Sequence, residues 1–149
     1  MPTFSAPDLE RLKRLHPELQ RLFKEAIKQT AFTIRDTNRG RADQEKAFKG
    51  GFSKVHYPDS AHNWQPSLAA DIYPAPVDLA DTAANRERFR RLQIDVLKPL
   101  AKKLGIPIRQ GIDFNMNSDL TDDKFKDLPH IELHVWREWA AKDCKPYEG

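Results

Sequence analysis

Ser60-Ala61-His62-Asn63-Trp64-Gln65-Pro66-Ser67-Leu68-Ala69-Ala70-Asp71 is the stretch around which the chain is organised. It carries an imidazole, His62, and a carboxylate, Asp71, and Asp71 sits in the apolar run Leu68–Tyr73. A run of that kind is normally buried, and a buried carboxylate is costly unless it is paired or bound to a metal. A salt bridge to one of the many Arg or Lys residues is the bland explanation. The other explanation needs a partner, and Asp127-Leu128-Pro129-His130 supplies one near the far end of the chain. Two imidazoles and a carboxylate can close three corners of a zinc tetrahedron and leave the fourth for water. Asp127, three residues before His130, is placed to take a proton from that water.

The segment that opens at His130 reads as a strand over His130–Trp136. Ile131, Leu133 and Val135 point one way, to the core, while His130, Glu132 and His134 point to a cleft or to solvent. Residues two apart on one face are separated by roughly 6.6 Å, so His130 and Glu132 can reach one metal. His134 lies about 13 Å from His130 by the same rise and cannot share that metal easily. Position alone leaves both choices open. The His130/His134 spacing also invites comparison with helical His-Glu-x-x-His zinc sites, but Glu132 is one position late and Pro129 with alternating β-formers argues for a strand.

A chain of 149 residues is read as a single domain, 1–149. Its 39% hydrophobic and 32% charged content fits a folded protein. The net charge of +3 and a pI near 9.0 favour an anionic partner without choosing among nucleic acid, membrane surface and cell-wall polymer. No nucleic-acid motif is present, and no apolar run approaches the ~18 residues of a membrane span. Met1–Ser5 has neither the charged start nor the apolar core of a signal peptide. The one cysteine, Cys144, excludes an internal disulfide and any multi-cysteine zinc site, so a zinc here uses His and carboxylate ligands.

The remaining elements follow from periodicity. Ser5 caps a first helix with Pro7 in its first turn and Leu9, Leu12 and Leu15 on its apolar side. Pro17 opens a second helix with the stripe Leu19, Leu22, Phe23, Ala26 and Ile27, and His16 is a boundary residue rather than a ligand. Ala31–Ile34 alternates as a strand, a helix covers about Ala42–Lys49, and Gly50-Gly51 stops it. Thr82 to Leu104 is the strongest helix, with Phe89, Leu92, Val96, Leu97, Leu100 and Leu104 on one face and a solvated basic face opposite. Ile106-Pro107-Ile108 begins a strand at a sheet edge. The layout is α+β, with helices packed on a small, mainly antiparallel sheet.

These residues resemble the zinc D,D-carboxypeptidase and L-alanyl-D-glutamate endopeptidase family, which includes bacteriophage endolysins and shares its fold with the Hedgehog signalling domain. The family pattern is Ser-x-His, then Gly-x-Ala-x-Asp, then Glu or Asp-x-x-His. Ser60 and His62, Ala69 and Asp71, and Asp127 and His130 match it, with Ser67 at the family's Gly and a His-to-Asp gap two residues longer than the commonest version. Arg39 and Gln44 resemble the family's upstream Arg and Gln, and the Gly50–Lys54 segment resembles a Gly-x-Ser-Lys loop of the phage enzymes. The resemblance implies a Hedgehog/DD-peptidase-like fold, zinc on His62, Asp71 and His130, Asp127 as general base, and Arg39 steadying an oxyanion or a substrate carboxylate. It implies a peptidoglycan peptidase cutting between L-alanine and D-glutamate, acting as a monomer first in the host cytoplasm and then, at lysis, on the periplasmic cell wall. A D,D- or L,D-carboxypeptidase differs only in substrate, and a zinc-stabilised wall-binding module would lack a working base.

One further motif stands apart. Asp113-Phe114-Asn115-Met116-Asn117-Ser118-Asp119 has the alternating oxygens that open a calcium loop. Ser118 replaces the glycine of position six and Lys124 the glutamate of position twelve, with Asp122 or Asp123 as substitutes for the missing carboxylate.

Overall fold

The computed structural model of the chain describes residues 1–121 and 127–149. Four strands make the main sheet: β1 (Phe32–Asp36), β3 (Ala69–Pro74), β5 (His130–Leu133) and β4 (Ile108–Gln110), in that spatial order and antiparallel throughout. A two-stranded ribbon pairs β2 (Trp64–Gln65) with β6 (Lys145–Pro146). β4 is an edge strand, as the proline before it requires.

Helices α1 (Ala6–Leu12) and α2 (Pro17–Ala26) start at side-chain caps. Ser5 accepts from the Asp8 amide, and His16 accepts from the Glu18 amide through Nδ1. His16 also reaches Asp143 through Nε2 at 2.8 Å, so the boundary residue clamps two ends of the molecule together. The whole α2 stripe is buried in the core, whereas Leu9, expected on the apolar side of α1, is exposed. On α1 the inward position is taken instead by Asp8, whose Oδ1 accepts from the Ile34 amide and the Thr33 hydroxyl of β1.

α3 (Arg41–Lys49) ends at Gly50-Gly51. The long helix runs as α4 (Ala83–Arg90), a π-helical stretch (Arg91–Leu97) and α5 (Lys98–Leu104), closed by Gly105 in the left-handed conformation. Its buried residues include Phe89, Leu92, Leu97 and Leu100, with two polar ones, Asn85 and the fully buried Gln93.

The last expected strand is shorter than the alternation implied. β5 stops at Leu133, and α6 (Trp136–Asp143) begins where strand was expected. Ile131 and Leu133 enter the core, but Val135 is exposed at the start of α6. The ladder ends because β4, its neighbour, begins only at Ile108, opposite Leu133.

A candidate metal centre in the cleft

The sheet brings the three expected ligands together. Asp71 and His130 are register partners on β3 and β5. His62 arrives on a short 3₁₀ turn, Ala61–Asn63, closed by a reciprocal capping box between Ser60 and Asn63. Carboxylate oxygen Oδ1 of Asp71 lies 3.5 Å from His62 Nε2 and 3.4 Å from His130 Nδ1. One ligand atom from each residue falls within 4.8 Å of the others, and all three residues are buried.

These spacings match a common ion better than hydrogen bonds. Bonds of about 2.1 Å at a tetrahedral angle put neighbouring ligand atoms about 3.4 Å apart. Asp71 Oδ1 is buried and has no hydrogen-bond partner, an arrangement that is costly unless a cation completes it. The far nitrogen of each imidazole is held. His62 Nδ1 donates to the Thr37 carbonyl at 2.7 Å, and His130 Nε2 meets Glu132 Oε1 at 2.7 Å. Each ring therefore turns its other nitrogen toward Asp71. The residues present fit a zinc ion, with two imidazoles, one carboxylate and an open position toward the cleft.

The electrostatics point the same way. Burial alone would raise the Asp71 carboxyl, but His62 and His130 outweigh it and hold it well below the usual carboxylate range. Burial works against a charged His130, yet the neighbouring carboxylates of Asp71 and Glu132 push it up to about 10. Asp71 and Glu132 thus flank the His130 imidazole with negative charge on both ring nitrogens.

Asp127 stands at the cleft edge. Its backbone makes the turn: the amide donates to the Gly111 carbonyl, and its carbonyl accepts from the His130 amide, both at 3.0 Å. The side chain is left to the cleft, and burial, then the negative charge of Asp71, raise its carboxyl. Gln93 braces this turn from the helix, donating to the Leu128 and Pro129 carbonyls. Gly111 leaves the room the turn needs, since a β-carbon there would come 2.0 Å from the Asp127 carbonyl oxygen.

The cleft has a volume of about 510 Å³ and is lined by Arg39, the Phe52–Val55 loop after the double glycine, Phe114, Trp136, and His62 and His130 of the ion site. Arg39 donates to Gln44 Oε1 at 3.2 Å, and Gln44, fully buried, reaches Ser53 and the Val55 carbonyl. The spacing between Arg39 and Gln44 therefore ties the cation to the loop that walls the cleft. Ser67, at the family's glycine, is buried with its hydroxyl donated to the Ala69 carbonyl. Between His62 and Asp71 the chain forms β2, which is held by β6.

His134 is placed elsewhere, in a separate hollow with Pro107, Glu138, Trp139 and Lys142. Glu132 does share a face with His130 but sits behind the imidazole, on the nitrogen turned away from Asp71. Sequence reasoning missed Asp36, the register partner of Asp71, whose carboxyl is raised first by burial and then by the Asp71 charge. It also missed Gln93, which an amide on an otherwise apolar helix face could have signalled.

In the Asp113–Asp119 loop, Asp113 Oδ2 accepts from the Ser118 amide while Oδ1 is buried without a hydrogen bond. Asn115, Asn117 and Asp119 each accept from a backbone amide two residues on. The expected twelfth position, Lys124, and the substitutes Asp122 and Asp123 lie outside the described residues. Among the described residues, His62, Asp71 and His130 form the group of three able to hold a metal.

Residues 2–134 match the phage L-alanyl-D-glutamate peptidase family. The crystal structure of the Serratia marcescens L-Ala D-Glu endopeptidase ChiX superimposes with a TM-score of 0.68 at 22% identity, over 91% of this chain and 92% of that one, and shares its fold. No curated protein sequence matches the chain. With nearly the whole chain matched, the protein belongs to the phage L-alanyl-D-glutamate peptidase family, hydrolases of peptidoglycan.

Proposed function

We propose that this peptidase cleaves the L-alanyl-D-glutamate bond of murein stem peptides with a zinc ion held by His62, Asp71 and His130. The observation that carries the reading is the buried Asp71 Oδ1, without a hydrogen bond and flanked by two imidazole nitrogens at 3.4 and 3.5 Å. A zinc ion there supplies Lewis acidity, polarising the scissile carbonyl and easing loss of a proton from water.

The chain's own residues do the rest. Asp127 takes the proton from the attacking water, whose oxygen bonds to the alanyl carbonyl carbon, and delivers it to the leaving D-glutamyl nitrogen. Its side chain lines the cleft beside the two imidazoles, within the space a bound water would share. Arg39 faces the developing oxyanion or a substrate carboxylate. It suits that role better than Arg109, whose Nε and Nη2 are engaged by Glu132. Trp136 and the Phe52–Val55 loop wall the space that the stem peptide occupies. Among the described residues no helix is long and apolar enough to cross a membrane. Membership of the phage peptidase family supports an endolysin role, as a single-domain monomer made in the host cytoplasm that reaches the wall at lysis.

Digestion of purified peptidoglycan with mass spectrometry of the products tests the reading. New peptides beginning at D-glutamate, lost with a chelator and restored by zinc, are expected. Release of terminal D-alanine alone would make the protein a carboxypeptidase instead.

A further inference from the structure

We propose that Arg109 and Glu132 form a charge-paired brace that sets the orientation and tautomer of His130, and so governs how tightly the centre holds its metal. The inference rests on the zinc reading above and extends it to two residues behind the ligands.

The brace is built by the sheet. Arg109 on β4 and Glu132 on β5 are register partners at the sheet edge. Glu132 Oε2 takes Arg109 Nη2 at 3.0 Å and Nε at 3.2 Å, while Oε1 takes His130 Nε2 at 2.7 Å. Both oxygens of one buried carboxylate are therefore used, one on each neighbour. His130 and Glu132 reach each other because residues two apart on a strand share a face. Phe114 closes the assembly, with its ring 5.6 Å from the His130 ring and the Arg109 guanidinium 5.5 Å above it.

Glu132 is only 4% exposed, so its charge needs a partner of opposite sign. Arg109 provides it with a fork that fixes the carboxylate plane, which a lysine would not. With the carboxylate fixed, the His130 Nε2 proton has an acceptor and Nδ1 is left as the lone pair facing Asp71. His62 shows what the second imidazole lacks: its far nitrogen rests on the neutral Thr37 carbonyl. The two ligands thus have supports of different charge, and the charged one can be altered without touching a ligand.

Zinc affinity, measured by chelator competition on the purified protein, tests this. Glu132→Ala should weaken zinc binding about 10–100-fold, as loss of such an outer partner does elsewhere. Glu132→Gln keeps an acceptor for Nε2–H and should recover much of that loss; Arg109→Met should fall between the parent and Glu132→Ala. Nitrogen-15 shifts of His130 in the zinc form should report an Nε2–H tautomer in the parent and a mixture in Glu132→Ala. If Glu132→Ala does not fold, the comparison of Glu132→Gln and Arg109→Met with the parent decides, and zinc affinity equal to the parent's in both overturns the brace. A parent that binds zinc alongside variants of unchanged affinity and tautomer overturns the brace alone. A parent that takes up no zinc overturns the metal reading and the brace together.

Discussion

Asp71 and His130 face each other as partners across the β3–β5 ladder, with Oδ1 and Nδ1 3.4 Å apart. Two of the three proposed ligands thus sit on neighbouring strands whose register is fixed by the buried apolar residues Ala70, Ile72, Ile131 and Leu133. Only His62 comes from outside the sheet, and its turn is capped by Ser60 and Asn63 and tied to Tyr147 at the C-terminal tail.

Loss of any one of the three should therefore abolish stoichiometric zinc. His62→Ala, Asp71→Ala and His130→Ala are each expected to bind far less than one equivalent by atomic absorption, because two remaining ligands do not make a site. Full zinc content in all three variants would refute the assignment.

The sequence carried the grouping of His62, Asp71 and His130 and the helices further than it carried the strand ends. That the three residues come together was legible because metal chemistry restricts residue type and because a carboxylate in Leu68–Tyr73 demanded an explanation. The α2 stripe and the Thr82–Leu104 helix were legible because helical period shows over many residues. The end of β5 was not, since alternation through His134 and Val135 continues in the sequence after the partner strand has run out. Glu132 was ambiguous for a related reason: a strand face says which side a residue is on, not whether it stands before or behind the imidazole. The alternating oxygens of Asp113–Asp119 double as caps of successive tight turns, a local use that sequence cannot separate from ion binding.

His134 offers a contrasting prediction. It lies in a different hollow from the three ligands, so His134→Ala should keep its zinc and its specific activity. Loss of zinc in His134→Ala, measured beside His130→Ala, would overturn the register.

Gly111 should be intolerant of even one methyl group. A β-carbon would come 2.0 Å from the Asp127 carbonyl oxygen and 2.9 Å from the His130 β-carbon, so the backbone must move. Gly111→Ala is expected to lose about 1–3 kcal/mol of stability, the usual range for overpacking. Because the displaced turn carries Asp127, turnover should fall even where the protein remains folded. Parent-like melting and activity would show that the turn gives way freely.

The Cys144 thiol should be poor in reactivity. Burial and the nearby Asp143 push it up to about 11, and Sγ sits 3.4 Å from the Pro66 carbonyl. At pH 8 little thiolate forms, so labelling by a disulfide reagent should be slow in the folded protein and rapid after denaturation. Fast labelling of the native protein would count against this packing of the tail.

Asp127 gives a prediction in which stability and activity move in opposite directions. Its carboxyl is raised by burial first and by Asp71 next, so the folded, zinc-free protein binds this proton more tightly than the unfolded chain does. The associated stability is present at pH below the ordinary carboxylate value and is lost as pH rises through the raised one. At neutral pH the ionised side chain thus opposes folding, and Asp127→Asn should melt higher than the parent in zinc-free buffer. The gain should shrink as pH falls through the raised value toward the ordinary carboxylate value, where the parent aspartate increasingly takes up its proton. The same variant should keep its zinc and lose about 10²–10⁴-fold in murein hydrolysis, because an amide cannot take the proton from water. An Asp127 that merely capped the turn predicts the reverse, a lower melting temperature and near-normal turnover. The observed bonds of that turn run through the Asp127 backbone, which the substitution leaves in place.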